Sequence, residues 1–157
     1  MSKALKERRQ FIKAGMTVPL LAGMQLHLPA VYARSDDQLL VPDRIHAELY
    51  RLYGSRADYI FHSDLINLKV PDIAENGAVV PVTLNGQKGM VISAAIFVEH
   101  NPKVMAAGCR IHRGADLAVG TRLKLARTSH VYAIADTGHE LLGVKCLVRV
   151  TIGCGGG

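Results

Sequence analysis

Val144-Lys145-Cys146-Leu147-Val148-Arg149-Val150 alternates residue by residue. Successive side chains of an extended chain face opposite sides, so Val144, Cys146, Val148 and Val150 point to a core and Lys145 and Arg149 to water. Val119-Gly120-Thr121-Arg122-Leu123-Lys124-Leu125 repeats the pattern, with Val119, Thr121, Leu123 and Leu125 on one side and Arg122 and Lys124 on the other. Working outward from these two stretches, further strands are expected at 65–70, 78–84, 90–99, 104–112 and 130–136. Turn-forming clusters separate them: Glu75-Asn76-Gly77, Asn85-Gly86, Asn101-Pro102, His112-Arg113-Gly114 and Asp136-Thr137-Gly138. About seven short strands at this spacing predict an all-β fold, an immunoglobulin-like antiparallel β-sandwich. A small closed barrel is the alternative.

One N-terminal helix is expected over about 42–53. Pro42 suits a first helical position, Ile45, Leu49 and Leu52 recur at helical spacing, and Gly54 is placed to end it. Met90, Val91, Ile96 and Phe97 lie in a stretch that is apolar on both faces, which calls for cover from the helix or from a partner.

The two ends of the chain read differently from its body. Residues 1–33 are basic, with Arg8-Arg9 ahead of Phe11-Ile12-Lys13, then a weakly apolar stretch from Ala14 to Leu28, then Ala30-Val31-Tyr32-Ala33. This is the form of a cleaved secretory signal, and the arginine pair makes it resemble the twin-arginine type, which exports folded cargo. The apolar stretch is broken by Pro19, Gly23, Gln25 and His27 and falls short of the ~20 apolar residues a bilayer needs. The expected location is the periplasm, with no membrane attachment after cleavage. Residues 34–63 then form an N-terminal segment with the helix, 64–152 the sandwich, and 153–157 a flexible tail.

Charge follows the same division. The chain carries 19 Lys and Arg against 13 Asp and Glu, but residues 1–33 hold five of the bases and one of the acids. Residues 34–157 are left with a formal charge of only +2. No basic stripe with interleaved aromatics remains, which argues against a nucleic-acid partner.

The tail is Gly153-Cys154-Gly155-Gly156-Gly157. Glycine has no side chain to pack and loses the most entropy on ordering, so Cys154 reads as an accessible thiol on a flexible arm. Cys146 faces inward by its alternation. Cys109, in Met105-Ala106-Ala107-Gly108-Cys109-Arg110-Ile111-His112, also faces inward if Arg110 and His112 face water. In an oxidising compartment this predicts a buried Cys109–Cys146 disulfide, or else two separate buried thiols. Either way Cys154 is left over, for intermolecular pairing or for reaction.

No catalytic constellation, phosphate loop or dinucleotide fingerprint is present, so the chain does not read as an enzyme. His62, His100, His112, His130 and His139 lack ligand spacing. Neither a metal nor a resident cofactor is expected.

Three stretches together resemble SoxY, the family of sulfur-carrier subunits of the bacterial thiosulfate-oxidising Sox system. They are Val70-Pro71-Asp72-Ile73-Ala74-Glu75-Asn76-Gly77 with Val80-Pro81-Val82-Thr83, then Ile96-Phe97-Val98-Glu99-His100-Asn101-Pro102, then Val150-Thr151-Ile152 with the tail. The resemblance implies a carrier that holds thiosulfate-derived intermediates covalently on Cys154. It implies a heterodimer with a SoxZ-like subunit, loading by a haem-containing SoxAX-type enzyme, and sulfate release by a SoxB-type hydrolase, with a sulfur dehydrogenase as a further partner. It makes Gly153, Gly155, Gly156 and Gly157 the arm. The family usually has two glycines on each side of the cysteine; here one precedes and three follow. The thiol is thereby one residue, about 3.4 Å, nearer the body. The competing reading is an immunoglobulin-like interaction module whose tail cysteine forms an intermolecular disulfide.

Overall fold

The computed structural model describes residues 38–112 and 114–152, with only the backbone at Ile152. The expected signal (1–33) and the Gly153–Gly157 tail lie outside the described residues.

Helix α1 runs Asp43–Tyr53. Pro42 precedes it with φ −62° and ψ 151°, and its carbonyl accepts the N–H groups of Ile45 and His46, both at 2.9 Å. Pro42 is therefore the cap and not the first helical residue, because its own ψ stays extended. Gly54, at φ 62°, ends the helix, and a 3-10 turn follows over Gly54–Asp58. The left-handed φ at this position is one that glycine adopts without strain.

Nine strands follow: β1 Ile60–His62, β2 Ile66–Lys69, β3 Ile73–Asn76, β4 Val80–Gly86, β5 Ser93–Val98, β6 Met105–Arg110, β7 Ala118–Leu123, β8 Ser129–Asp136 and β9 Leu141–Ile152. The seven expected strands are all present. The two additions, β1 and β3, are too short for alternation to show in the sequence. The larger sheet has the order β1-β9-β8-β5-β6, with β3 also on β9; the smaller sheet is β2-β4-β7. β1 and β3 pair with β9 in parallel, at Leu141–Gly143 and at Arg149–Ile152 respectively. The other pairings are antiparallel.

The strands of the larger sheet have two apolar faces because they sit in the middle of three layers. Ala94, Ile96 and Val98 of β5 and Val131, Ala133 and Ala135 of β8 face the smaller sheet, meeting Val80, Val82 and Leu84 of β4. Ala95, Phe97, Tyr132 and Ile134 face the other way and pack with Ile45 and Leu49 of α1. The cover over Phe97 is thus the helix. Gly143 lies beneath this layer. A Cβ there would stand 2.5 Å from Leu39 Cδ2 and 2.7 Å from Ile60 Cγ2, so only glycine lets those side chains reach the sheet. At the edge of the layer Arg56 donates twice to Asp136, with Nη1–Oδ1 2.6 Å and Nη2–Oδ2 3.1 Å, tying the 3-10 turn to the end of β8. Among the described residues no helix is long and apolar enough to cross a membrane.

Leu49→Ala is expected to destabilise the domain by about 2–5 kcal/mol, through lost transfer energy and a cavity. Gly143→Ala should cost about 1–3 kcal/mol by overpacking. Urea unfolding of both variants checks this; losses below about 0.5 kcal/mol, the range of a neutral surface change, would mean the helix layer is not packed on the sheet.

Candidate functional site

Strand β9 leads toward Cys154, which lies outside the described residues. β9 is held on one edge by β8 from Leu141 to Val148. On the other edge β3 takes over for the last residues, pairing Ile73 with Arg149, Ala74 with Val150 and Asn76 with Ile152. Side-chain and loop bonds add to this root. Arg149 N–H donates to the Asp72 carbonyl (2.9 Å), Val150 N–H to Thr128 Oγ1 (3.0 Å), and Thr151 Oγ1 to the Glu75 carbonyl (3.3 Å). The chain is therefore paired up to Ile152, two residues before the cysteine. Two residues of any conformation span at most about 7 Å, which is the upper bound on the separation of the Ile152 and Cys154 backbones.

The segments singled out in the sequence converge on this root. Ile73–Asn76 is β3 itself, with Asp72 just before it. Asn76 Oδ1 accepts the Ala78 N–H (2.8 Å), forming the turn that sends the chain into β4, and Gly77 O accepts the Leu125 N–H (2.7 Å). Glu99–Pro102 makes the loop after β5. There Asn101 donates from Nδ2 to the Lys124 carbonyl (2.7 Å) and accepts at Oδ1 from Ala126 N–H (3.1 Å), fixing the 124–128 loop that presents Thr128. Arg44 of α1 donates to the Pro102 carbonyl (2.8 Å) and steadies the same loop. Strand β3 and the Thr128 bond were not anticipated from the sequence; the only local trace of β3 was its place in the quoted segment.

The other two cysteines are not bridged. Both are free thiols, half-buried, and both point toward the core between the sheets. The expected Cys109–Cys146 disulfide is corrected by sheet order. Cys109 is on β6 and Cys146 on β9, with β5 and β8 between them. Three strand spacings separate the two by at least about 14 Å, twice the ~7 Å Cα limit for a disulfide. The second reading, two separate thiols, is the one the structure holds. Cys146 Sγ lies 3.6 Å from the Leu68 carbonyl as a weak donor. Burial, and then the Asp72 carboxylate, push its thiol above the ordinary range. A less ionised thiol is a poorer nucleophile.

Histidines do not assemble into a ligand set. His130 Nδ1 meets Glu99 Oε2 at 2.9 Å, and His100 Nδ1 lies 3.2 Å from the Thr128 carbonyl, both as local structural contacts. Among the described residues no group of three His, Cys, Asp or Glu side chains is placed to hold a metal. An open cleft of about 670 Å³ lies between α1 and β6, lined by Leu52, Tyr53, Arg56, Ile92, Met105 and Asp136 among others. Asp136 pairs with Leu141, at the start of β9. Eleven steps of β9, up to about 37 Å, separate Leu141 from Ile152.

Fold and root together define a helix-covered immunoglobulin-like sandwich whose last strand delivers a glycine-flanked cysteine. The family model described as "Sulfur oxidation protein SoxY" matches residues 49–154, ending on that cysteine. The chain belongs to the SoxY family. Among solved structures it is similar to the sulfur carrier protein SoxY from Chlorobium limicola f thiosulfatophilum. The two are 29% identical, with a TM-score of 0.63, over 69% of this chain and 97% of that one. No curated protein matches.

Thiol counting on the denatured, unreduced protein should find both Cys109 and Cys146 reactive; protection of the pair would restore the bridge. Cys146 also gives stability a pH dependence. Its folded-state pKa is raised, so the unfolded chain loses the proton first, and stability present below about pH 8.5 falls as pH rises above it. Cys146→Ala should flatten that alkaline decline in thermal melts.

Proposed function

We propose that this chain is a periplasmic carrier that holds thiosulfate-derived sulfur covalently on Cys154 and presents it to partner enzymes. The observation that carries the reading is a strand paired up to Ile152 followed at once by Gly-Cys-Gly-Gly-Gly, in a family match that runs through to the cysteine.

The chemistry assigned to Cys154 needs no catalytic group on this chain. The Cys154 thiolate and the terminal sulfur of thiosulfate join in an S–S bond. The product is Cys154–S–S–SO₃⁻, and the two electrons released go to a haem-containing SoxAX-type partner. Water then attacks the sulfonate sulfur in a SoxB-type hydrolase, and the bond from that sulfur to the carrier-bound sulfane sulfur breaks. Sulfate leaves with two protons, and a persulfide stays on Cys154. A sulfur dehydrogenase is a further partner for that sulfur. A SoxZ-like subunit completes the carrier. Glycines flank the thiol because each partner must draw it into a recess where side chains would clash. Tethering keeps the intermediate at high effective concentration. Co-export of a folded pair accounts for a twin-arginine signal on this chain.

Intact mass of the native protein, incubated with thiosulfate and the haem partner, should show thiosulfonate or sulfane adducts on Cys154. Cys154→Ser should abolish them with no change in the thermal midpoint. A mass showing only a disulfide-linked dimer and no loading would favour the interaction-module reading instead. Inserting one glycine between Gly153 and Cys154 lengthens the arm by about 3.4 Å. Faster loading in that variant would show that the short arm limits access.

A further inference from the structure

Among the described residues the two sheets end, on the side away from β9, in two unpaired strand edges. β6 closes the larger sheet and β7 the smaller. Ile111 N–H donates to the Ile92 carbonyl (2.9 Å), so by strand alternation Gly108 and Arg110 turn their backbone groups away from β5. Gly86 N–H donates to the Leu117 carbonyl (2.9 Å), which likewise turns Ala118, Gly120 and Arg122 away from β4. Natural edges are blunted by charge, proline or a covering segment. Neither β6 nor β7 contains proline, and each carries a single charge, Arg110 and Arg122, at or next to its end.

Between the edges the sandwich is open. An apolar groove of about 240 Å³ is lined by Leu84, Ala94, Ile96, Ala107, Cys109 and Val119 with their neighbours. Gly120 has no local reason to be glycine. Its φ is not positive, and a Cβ built on it would meet nothing within 4 Å. Glycine inside a strand costs stability, and where the fold does not require it, it marks close approach by another backbone.

Charge says what approaches. Residues 103–124, which span both edges, hold Lys103, Arg110, Arg113, Arg122 and Lys124 against Asp116 alone. The rest of residues 34–157 holds nine Lys and Arg against eleven Asp and Glu, so the positive charge of this part is concentrated here. Among the described residues Lys103, Arg110, Arg122 and Lys124 make no ion pair. A second copy would bring cations against cations, which is unfavourable.

We infer that the β7 edge, with the apolar groove toward β6 beside it, is a docking surface for an extended, carboxylate-bearing strand of a separate partner protein, added edge-on to the smaller sheet. Backbone bonds supply affinity and alternate side chains choose the partner. The inference shares with the carrier reading only the premise that this chain works with partners. Adducts on Cys154 are read separately by mass, so either can fail alone.

The test follows amide hydrogen exchange by NMR on the full chain under reducing conditions, with a synthetic hexapeptide of alternating glutamate and valine and its lysine–valine counterpart. The amides of Ala118, Gly120 and Arg122 should exchange fast in the free chain and slow at least threefold with the acidic peptide only. Gly120→Val should keep or raise the thermal midpoint while abolishing that slowing, and Arg122→Glu should reduce it. The inference is overturned if neither peptide slows these amides, or if both do so equally. It is also overturned if the amides are already protected in the free chain, whether protection falls on dilution (a second copy) or on removal of residues 153–157 (the chain's own tail).

Discussion

Every part of the molecule that bears on function is referred to β9. Its twelve residues are clasped by β8 along one edge and by β1 and β3 at opposite ends of the other. A long strand with an exposed edge would leave backbone donors and acceptors unpaired, and two short parallel strands cover the ends of that edge. The beginning of β9 carries Gly143, which lets Leu39 and Ile60 come close, and its end carries the arm. Pairing with β3 carries the sheet up to Ile152, two residues before Cys154 in the sequence.

The helix layer follows from the same sheet. β5 and β8 are central strands, so both of their faces must be covered. The smaller sheet covers one and α1 the other. The Arg56–Asp136 pair holds the 3-10 turn at the end of β8, and Arg44 and Asn101 hold the 99–102 and 124–128 loops. Packing thus places the cleft between α1 and β6, and among the described residues leaves β6 and β7 as the open side.

Cysteine placement shows how far alternation carries. The period of two told correctly that Cys109 and Cys146 turn toward the sandwich interior, because which way a side chain faces is a local property of an extended chain. It carried no information on which strands are neighbours. Sheet order put two strands between them and removed the disulfide. β3 was hidden for a related reason: four residues, three of them exposed, make no pattern until β9 lies beside them.

What the sequence determined by itself is what depends on neighbours along the chain: seven strands from their period, one helix from Pro42, Ile45, Leu49 and Gly54, and a glycine-flanked cysteine set apart from a packed body. The family segments were also legible there, as words without a location. Only the tertiary structure decided that those segments meet at the root of the arm, that the helix and not a partner covers Phe97, that the inner cysteines stay apart, and that β6 and β7 end unpaired. Each of these depends on which strands hydrogen-bond to which, and that order is set by long-range burial and pairing that no local period encodes.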